Sequence, residues 1–577
     1  MKIKKIISLA IMVVMIGSLF SGCGKASESD NKADTKSTAN EENSDAAATD
    51  ATEATESSAD DKNPVTLTFY NAGTEEDPWT DPVAQAITEA TGVTLDVEEN
   101  VSGDTQMISL MIAEQNYPDL MYTQDKAAEL IQAGALIDLT DLINQYGPNI
   151  KKMYGNELGK LKYSKDDPSI YMLSSYGIGG SYYKTDGTIQ LQYDILKENN
   201  YARPKTLKEY ETMLKNYIAA HPTTDDGLAT IGLTLSTADW RWMITLGNPA
   251  GFIATGELNN GQWSIDKDYN AVFRFRKDVE KEYFRWLNRM YNEGVLDQEF
   301  ATQTHEDYIA KIASGRVLSL MDAIWDYQDG EKVLRADGKF GKTYCGLPIT
   351  WDENIKCSSL AYPGLIVGQG IGISSNCKDP VRAIKFLDFM CSDEGQVLTH
   401  WGIKDVNYFI DDQGQRYRTA EEAAKVNSDP DYDKKTGIGF HVMPFPGYGD
   451  GVVDSTGSTY TTVSKEAVIA EYDEEQKAAC TAWGVELLAD IFPQASEFEV
   501  PKYSPLWAYA KPTEFNEISA KLDEISWAGL IKAVISKEKD FDTNYDAMLK
   551  ELEDAGMSDA EKMLTDVVKE KVALAEE

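Results

Sequence analysis

From Val65 onward the apolar residues of this chain change period in a regular alternation, and that alternation limits the fold more than any other feature. Val65, Leu67 and Phe69 recur every second residue, the spacing of a half-buried strand. Val83, Ala86, Ile87 and Ala90 then follow helical spacing, with Asp81-Pro82 as a start signal and Gly92 as a stop. Val93, Leu95 and Val97 alternate again. A second helical stretch carries Met107, Leu110 and Met111, and Leu120-Met121-Tyr122 reads as a short buried strand. Strand, helix, strand, helix, strand predicts a parallel sheet, because parallel neighbours need a crossover and a helix supplies it. Ligands of such sheets bind beyond the carboxyl ends of the strands. Two of those ends carry Tyr70-Asn71-Ala72-Gly73 and Tyr122-Thr123-Gln124-Asp125.

A second α/β region begins near residue 176. Thr206 and Glu209 have the spacing of a capping box, and the helix behind them places Leu207, Tyr210, Leu214 and Tyr217 on one face. Ile231 to Leu235 and Val317 to Met321 read as buried strands. Asp379-Pro380 starts a helix with Ile384, Leu387 and Cys391 facing inward. No internal repeat at a fixed period is evident. The C-terminal stretch reads as amphipathic helices ending in a charged tail.

The N-terminus has a different character. Lys2, Lys4 and Lys5 precede an apolar run from Ile6 to Phe20, the length of a signal-peptide core and short for a membrane span. The run closes on Leu19-Phe20-Ser21-Gly22-Cys23, which looks like a bacterial lipobox with Phe20 where Leu is usual. On that reading residues 1–22 are removed and Cys23 is acylated. The alternatives are a plain secreted protein with a free cysteine, or an uncleaved anchor. Up to about Asn63 the chain is Ser, Thr, Ala, Asp and Glu, too poor in bulky apolar side chains to offset the entropy of ordering. About forty such residues reach about 35 Å, enough to lift a globular head clear of a surface.

The net charge is −40; the leader contributes +3 and residues 24–63 contribute −7, so −36 remains on the globular part. That excess of acid excludes nucleic acid and anionic lipid as partners. Cys345, Cys357, Cys377, Cys391 and Cys480 show no CxxC spacing, which argues against a metal ribbon or a thioredoxin-type motif. They are expected to be mostly buried thiols, with Cys345–Cys357 the first choice for any pair. There is no G-x-S-x-G, H-E-x-x-H, P-loop or dinucleotide fingerprint, so no catalytic residue and no cofactor is assigned. His221, His305, His400 and His441 are isolated in sequence and read as structural or solvent-facing. Asp429, Asp431 and Asp433 have the first spacings of a calcium loop. Gly437 comes too late and no Glu follows at the twelfth position, so a solvated acidic loop is expected and no metal ligand is assigned.

The aromatic residues carry more information, at 11 Trp, 30 Tyr and 17 Phe, because several lie in polar contexts. Trp79 ends Glu75-Glu76-Asp77-Pro78-Trp79, Trp240 and Trp242 lie in Ala238-Asp239-Trp240-Arg241-Trp242, and Trp325 follows the strand ending at Met321. An indole offers a flat apolar face to the C–H side of a sugar ring, and neighbouring Asp, Asn, Arg and Gln can bond its hydroxyls. Trp240 and Trp325 are the favoured site residues.

Three segments carry a family resemblance. Tyr117-Pro118-Asp119-Leu120-Met121-Tyr122 is followed by Gly134-Ala135-Leu136-Ile137-Asp138-Leu139-Thr140. Tyr176-Gly177-Ile178 leads to Leu191-Gln192-Tyr193-Asp194-Ile195-Leu196-Lys197 and then Arg203-Pro204-Lys205-Thr206-Leu207. Asp379-Pro380-Val381-Arg382-Ala383-Ile384-Lys385-Phe386-Leu387-Asp388 is followed by Asp393-Glu394-Gly395-Gln396. In this order and spacing the chain resembles the extracellular solute-binding proteins of carbohydrate ABC transporters, the maltodextrin-binding-like family, and in particular its long Firmicutes lipoproteins. The resemblance implies an α/β, two-lobed periplasmic-binding-protein-like (type II) fold with inter-lobe strand crossovers. Lobe 1 would take 64–175 and 365–425, and lobe 2 would take 176–364 and 426–577, behind an anchor and disordered linker at 23–63. The ligand-binding set it implies is Asn71, Trp79, Tyr122, Asp125, Tyr182, Trp240, Asp322, Trp325, Gln369 and Tyr448, with Tyr122 in a position where Trp is usual. The implied partners are an oligosaccharide and the permease subunits of an ABC transporter. The protein would be a monomer on the extracellular face of the cell membrane, held there by its lipid alone. A lipid-anchored glycoside hydrolase and a surface peptide-binding receptor are the alternatives.

Overall fold

The computed structural model describes residues 62–71, 77–99, 106–174, 177–185, 187–429, 431–506 and 511–576, without the side chains of 99, 125, 188, 427, 428, 575 and 576. The leader, Cys23, nearly all of the tether and most of the loop after the first strand lie outside the described residues. The strands are β1 (Val65–Asn71), β2 (Val93–Glu99), β3 (Leu120–Tyr122), β4 (Leu173–Ser174), β5 (Thr188–Gln192), β6 (Ile231–Leu233), the hairpin β7 (Trp263–Ile265) and β8 (Ala271–Phe273), then β9 (Val317–Asp322), β10 (Tyr344–Leu347) and β11 (Gly370–Ile373). One sheet has the order β2-β1-β3-β11-β4 and another has the order β10-β5-β9-β6.

The expected alternation from 65 to 122 is present, and local chemistry explains it. Asp81 caps the helix Pro82–Thr91 by accepting from the Ala84 N–H, Pro82 stands in its first turn, and Gly92 ends it at φ +71. A side chain at Gly92 would meet the Lys62 carbonyl oxygen at 2.5 Å, so the position needs glycine twice over. β1 pairs in parallel with β2 and with β3. The helix Leu207–Ala220 has its capping box and buries Leu207, Tyr210, Leu214 and Tyr217 as their spacing predicts.

β9 is buried at every position, as a central strand covered on both faces must be. Tyr210 and Tyr283 donate to Ser319 Oγ and Met321 Sδ on one face; Tyr308 meets Asp322 and packs with Leu320 on the other. β11 joins β3 and β4 antiparallel, so the first sheet takes a strand from beyond the second. The segments from Ser174 to Thr188 and from Leu347 to Gly370 carry the chain between the sheets.

Two packing arrangements differ from expectation. Phe445 lies 5.9 Å from the Phe69 ring and 5.8 Å from the Phe386 ring, so the stretch around it packs on the first sheet, although 426–577 was assigned to lobe 2. The helix Met557–Glu576 is fastened on two sides: Lys571 Nζ donates to the Lys162 and Tyr163 carbonyls, while Thr565 and Glu561 accept from Ala271 and Phe273 of β8. The five described cysteines are free thiols, four of them buried, as expected, and Cys345 and Cys357, the first choice for any pair, are not joined. Cys345 sits within β10, while the Cys357 thiol lies 3.1 Å from Ser359 Oγ. At the acidic loop, both Asp429 oxygens take the Lys435 ammonium at 2.8 Å, an ion pair rather than an open cation ligand.

Among the described residues, Asp77, Asp81 and His441 form a group whose ligand atoms lie within 4.8 Å of one another. Its geometry suits an imidazolium better than a metal. His441 Nε2 meets Asp81 Oδ2 at 2.6 Å while Nδ1 faces Asp77 Oδ2 at 3.5 Å, so the two acids address opposite nitrogens of one ring. Burial alone would lower the imidazole pKa. The hydrogen bonds and charges of Asp77 and Asp81 outweigh that and carry it up to about 9. The cluster clamps residue 441 onto the first turn of the helix at Pro82. A folded pKa above the ordinary 6.5 means stability that is complete below about pH 6.5 and lost as pH rises through about 9. The expected loss, on the order of 3 kcal/mol at most, appears as a falling urea midpoint across that window, and His441→Gln should flatten it. A wild-type midpoint that stays level from pH 6.5 to 9 would contradict the clamp.

Candidate functional site

β6 and β9 are parallel neighbours, so their carboxyl ends open side by side. The loop after β6 is pinned from three sides. Thr237 Oγ1 donates to the Phe300 carbonyl at 2.8 Å, Thr245 Oγ1 to the Ser236 carbonyl at 2.7 Å, and Trp527 Nε1, from the helix Thr513–Ile535, to the Thr237 carbonyl at 2.9 Å. The loop presents Trp240. The helix Ile324–Ala336, which follows β9 after one residue, presents Trp325. These rings are 56% and 54% exposed and lie 6.0 Å apart at 15°. A third ring placed between two faces needs about 3.5–4 Å on each side, so the stacked pair leaves no slot between its rings and can offer only its outer exposed surface as a platform.

Polar groups border that platform. Arg241 donates through Nε to Asp326 Oδ1 at 2.6 Å and through Nη1 to Asp239 Oδ2 at 2.5 Å, with its guanidinium carbon 4.9 Å from the Trp240 ring centre. His305 Nε2 lies 3.7 Å from the same Asp326 oxygen. Asp322, the last residue of β9, is buried; it accepts from Tyr308 Oη at 2.8 Å and from the Ala323 N–H at 2.7 Å. Burial, and then the charge of Asp326, push its carboxyl well above the ordinary 3.8. Asp326 Oδ2 is buried without a hydrogen-bond partner among the described residues. The arrangement can stack a ring and bond its hydroxyls through fixed donors and acceptors.

The structure separates the expected site residues into groups. Trp240, Asp322 and Trp325 meet at the ends of β6 and β9. Asn71 and Tyr122 end neighbouring strands in register, and Gln369 stands just before β11, whose Ile371 is the register partner of Tyr122. Tyr182 is exposed on the segment between β4 and β5. Tyr448 is bridged to that segment at Ile178, and its ring is stacked on Tyr460 at 4.3 Å. The side chain of Asp125 lies outside the described residues.

Two expectations need correction. Trp79 is 4% exposed: its ring packs against Phe386 and His441, and Nε1 donates to Thr88 Oγ1 at 3.1 Å, so it belongs to the core. Tyr122 is 5% exposed and presents no open face for stacking. Arg241, Asp326, His305 and Trp527 were missed. Arg241 and Asp326 could have been found, since each directly follows one of the favoured tryptophans. Trp242, in the same motif, is buried.

The family model for bacterial extracellular solute-binding proteins matches residues 83–408, more than half of the chain. The fructooligosaccharide ABC transporter substrate-binding protein FusA of Streptococcus pneumoniae serotype 4 is 23% identical over 263 residues, 43% of this chain and 47% of that protein. Lipoprotein LipO of Bacillus subtilis is 20% identical over 315 residues, 53% of this chain and 59% of that one. The chain spans about half the length of the curated relatives it matches. A solved extracellular solute-binding protein from Bifidobacterium longum subsp. infantis superposes with a TM-score of 0.66 at 16% identity, over 88% of this chain and 99% of that chain. The alginate-binding protein AlgQ2, solved without calcium ion, gives 0.62 at 18% over 88% and 98%. These likenesses establish the α/β two-lobed fold. The family match, over more than half of the chain, places it in the bacterial extracellular solute-binding protein family, whose members bind solutes and are not enzymes.

Proposed function

We propose that this protein captures a neutral oligosaccharide between its lobes and delivers it to the permease of an ABC transporter, held at the cell surface by acylated Cys23. The carrying observation is the exposed Trp240–Trp325 platform bordered by Arg241 and Asp326. A flat apolar face beside fixed polar groups suits a sugar ring, which is apolar on one side and hydroxylated at its edge. Neutrality follows from charge: two carboxylates, Asp239 and Asp326, hold the single guanidinium, on a chain of net charge −40, so an anionic sugar would be repelled. Support also comes from FusA, named for fructooligosaccharide, and from a Bifidobacterium longum infantis protein described as an HMO binding, ABC-transporter associated solute binding protein. LipO, a lipoprotein by name, and the sequence ending in Cys23 support the anchor.

Calorimetric titration against panels of neutral oligosaccharides and of peptides tests the ligand class. Trp325→Ala should lower affinity for the sugar that binds by at least about tenfold, or about 1.4 kcal/mol, with the fold unchanged. Unaltered affinity in that variant, or binding of peptides only, would sink the reading. For the anchor, labelled palmitate should be incorporated by the wild type, and Cys23→Ala should be unlabelled and shed into the medium; retention of the variant in the membrane fraction would count against acylation.

A further inference from the structure

One pocket inverts the charge of the rest of the chain. The sequence holds 95 acidic and 55 basic residues, yet Arg203, Lys205 and Lys356 line this pocket of about 380 Å³ against a single acid, Glu353. It lies between the start of the helix Leu207–Ala220, the residues that follow β10 and the turn Leu488–Ile491. No residue of the tryptophan platform lines it.

Its walls are apolar and formed in advance. Pro204, Pro348 and Pro493 stand around it with Ile355 and Ile491, and proline fixes φ, which leaves little ordering for a ligand to impose. One side is closed by the Thr350 N–H on the Lys205 carbonyl at 3.1 Å and the Leu207 N–H on the Thr350 carbonyl at 2.9 Å. The three cations are exposed, while Pro204, Thr350 and Cys357 are buried, so charge sits at the mouth and apolar surface beneath it. The cations are unequally engaged. Lys356 Nζ meets the Glu497 carboxylate at 3.0 Å and its carbonyl at 3.1 Å, whereas Lys205 reaches Glu353 only at 4.0 Å, with both side chains exposed. Arg203 has no acidic partner among the described residues. Its guanidinium carbon lies 5.5 Å from the centre of the Trp483 ring, and Trp483 is itself fixed through Nε1 to the Tyr201 carbonyl at 2.8 Å. With Glu497 included, three cations still face two acids. A Debye length of about 8 Å at physiological salt screens the distant carboxylates, so these groups set the charge that a ligand meets. The lining has no aromatic ring to stack a sugar, and its size falls within the range of small-molecule pockets, about 300–1,000 Å³.

The geometry points to a binding site for a small organic anion, a single carboxylate or phosphate on a compact apolar body. The apolar body lies between the prolines, and the anionic group meets Arg203 and Lys205 at the mouth. The site is independent of the carbohydrate reading, since it shares no residue with the platform. Calorimetric titration of the whole protein with phenylbutyrate, phenyl phosphate and the neutral phenylbutanol tests it. At least one of the two anions should bind once per chain and about tenfold or more tighter than the alcohol, and the tighter of the two names the anionic group. Arg203→Gln combined with Lys205→Gln should remove that advantage. Ile355→Trp, which fills the pocket from its wall, should abolish binding of all three compounds, and Trp325→Ala should leave every affinity unchanged. Equal affinity for the alcohol and the anions, anion binding that persists in the double variant, or no binding of either anion by the wild type would overturn the site. Loss of anion binding in Trp325→Ala would assign it to the platform and overturn the pocket as well.

Discussion

The site depends on the Arg241 guanidinium. It bonds Asp239 within its own loop and Asp326 on the helix after β9, and it lies over the Trp240 ring. Because β6 and β9 are adjacent and parallel, one side chain can tie their two carboxyl-end connections together, and the stacking of Trp240 on Trp325 follows from that tie. Such a pair contributes little net stability, since the Asp326 carboxylate gives up nearly all its hydration to make it. Its contribution is geometric: both indoles are held parallel before any ligand arrives, which lowers the ordering cost of binding. The raised pKa of Asp322 has the same logic, since a charge there would be repelled by Asp326.

Around this platform the chain crosses repeatedly between its two sheets. The segments from Ser174 to Thr188 and from Leu347 to Gly370 cross between the sheets, and Tyr448 is bridged to the first of them. The helix Met557–Glu576 adds a third connection, bonded to residues 162–165 on one side and to β8 on the other. Any change in the relation of these two regions would have to keep or break the bonds on both flanks of this helix. The imidazolium of His441 acts within one lobe, fixing the stretch around Phe445 to the first sheet so that it moves with that lobe.

What could be read in advance was what neighbours in sequence decide. Helix caps at Asp81 and Thr206, the buried faces behind them and the run of β9 all depend on contacts a few residues apart. What could not be read was set by distant partners or by backbone direction. Arg241 and Asp326 are 85 residues apart, and His441 and Asp81 are 360 apart. Trp79 has polar neighbours in sequence, yet its backbone takes φ +50 and its ring packs inward on Phe386. Polar context alone does not reveal which way a ring will face. The tryptophans favoured for the site lie in the connections after the parallel neighbours β6 and β9, yet Trp242 in the first of these turns inward.

The central claim is that the platform is one wall of a cleft that closes on its ligand. Small-angle X-ray scattering, with and without saturating amounts of an oligosaccharide shown by calorimetry to bind, tests it most directly. Closure predicts a smaller radius of gyration and a shortened longest distance on saturation, absent in Trp325→Ala at the same sugar concentration. Identical scattering from the free and saturated wild-type protein would contradict the account.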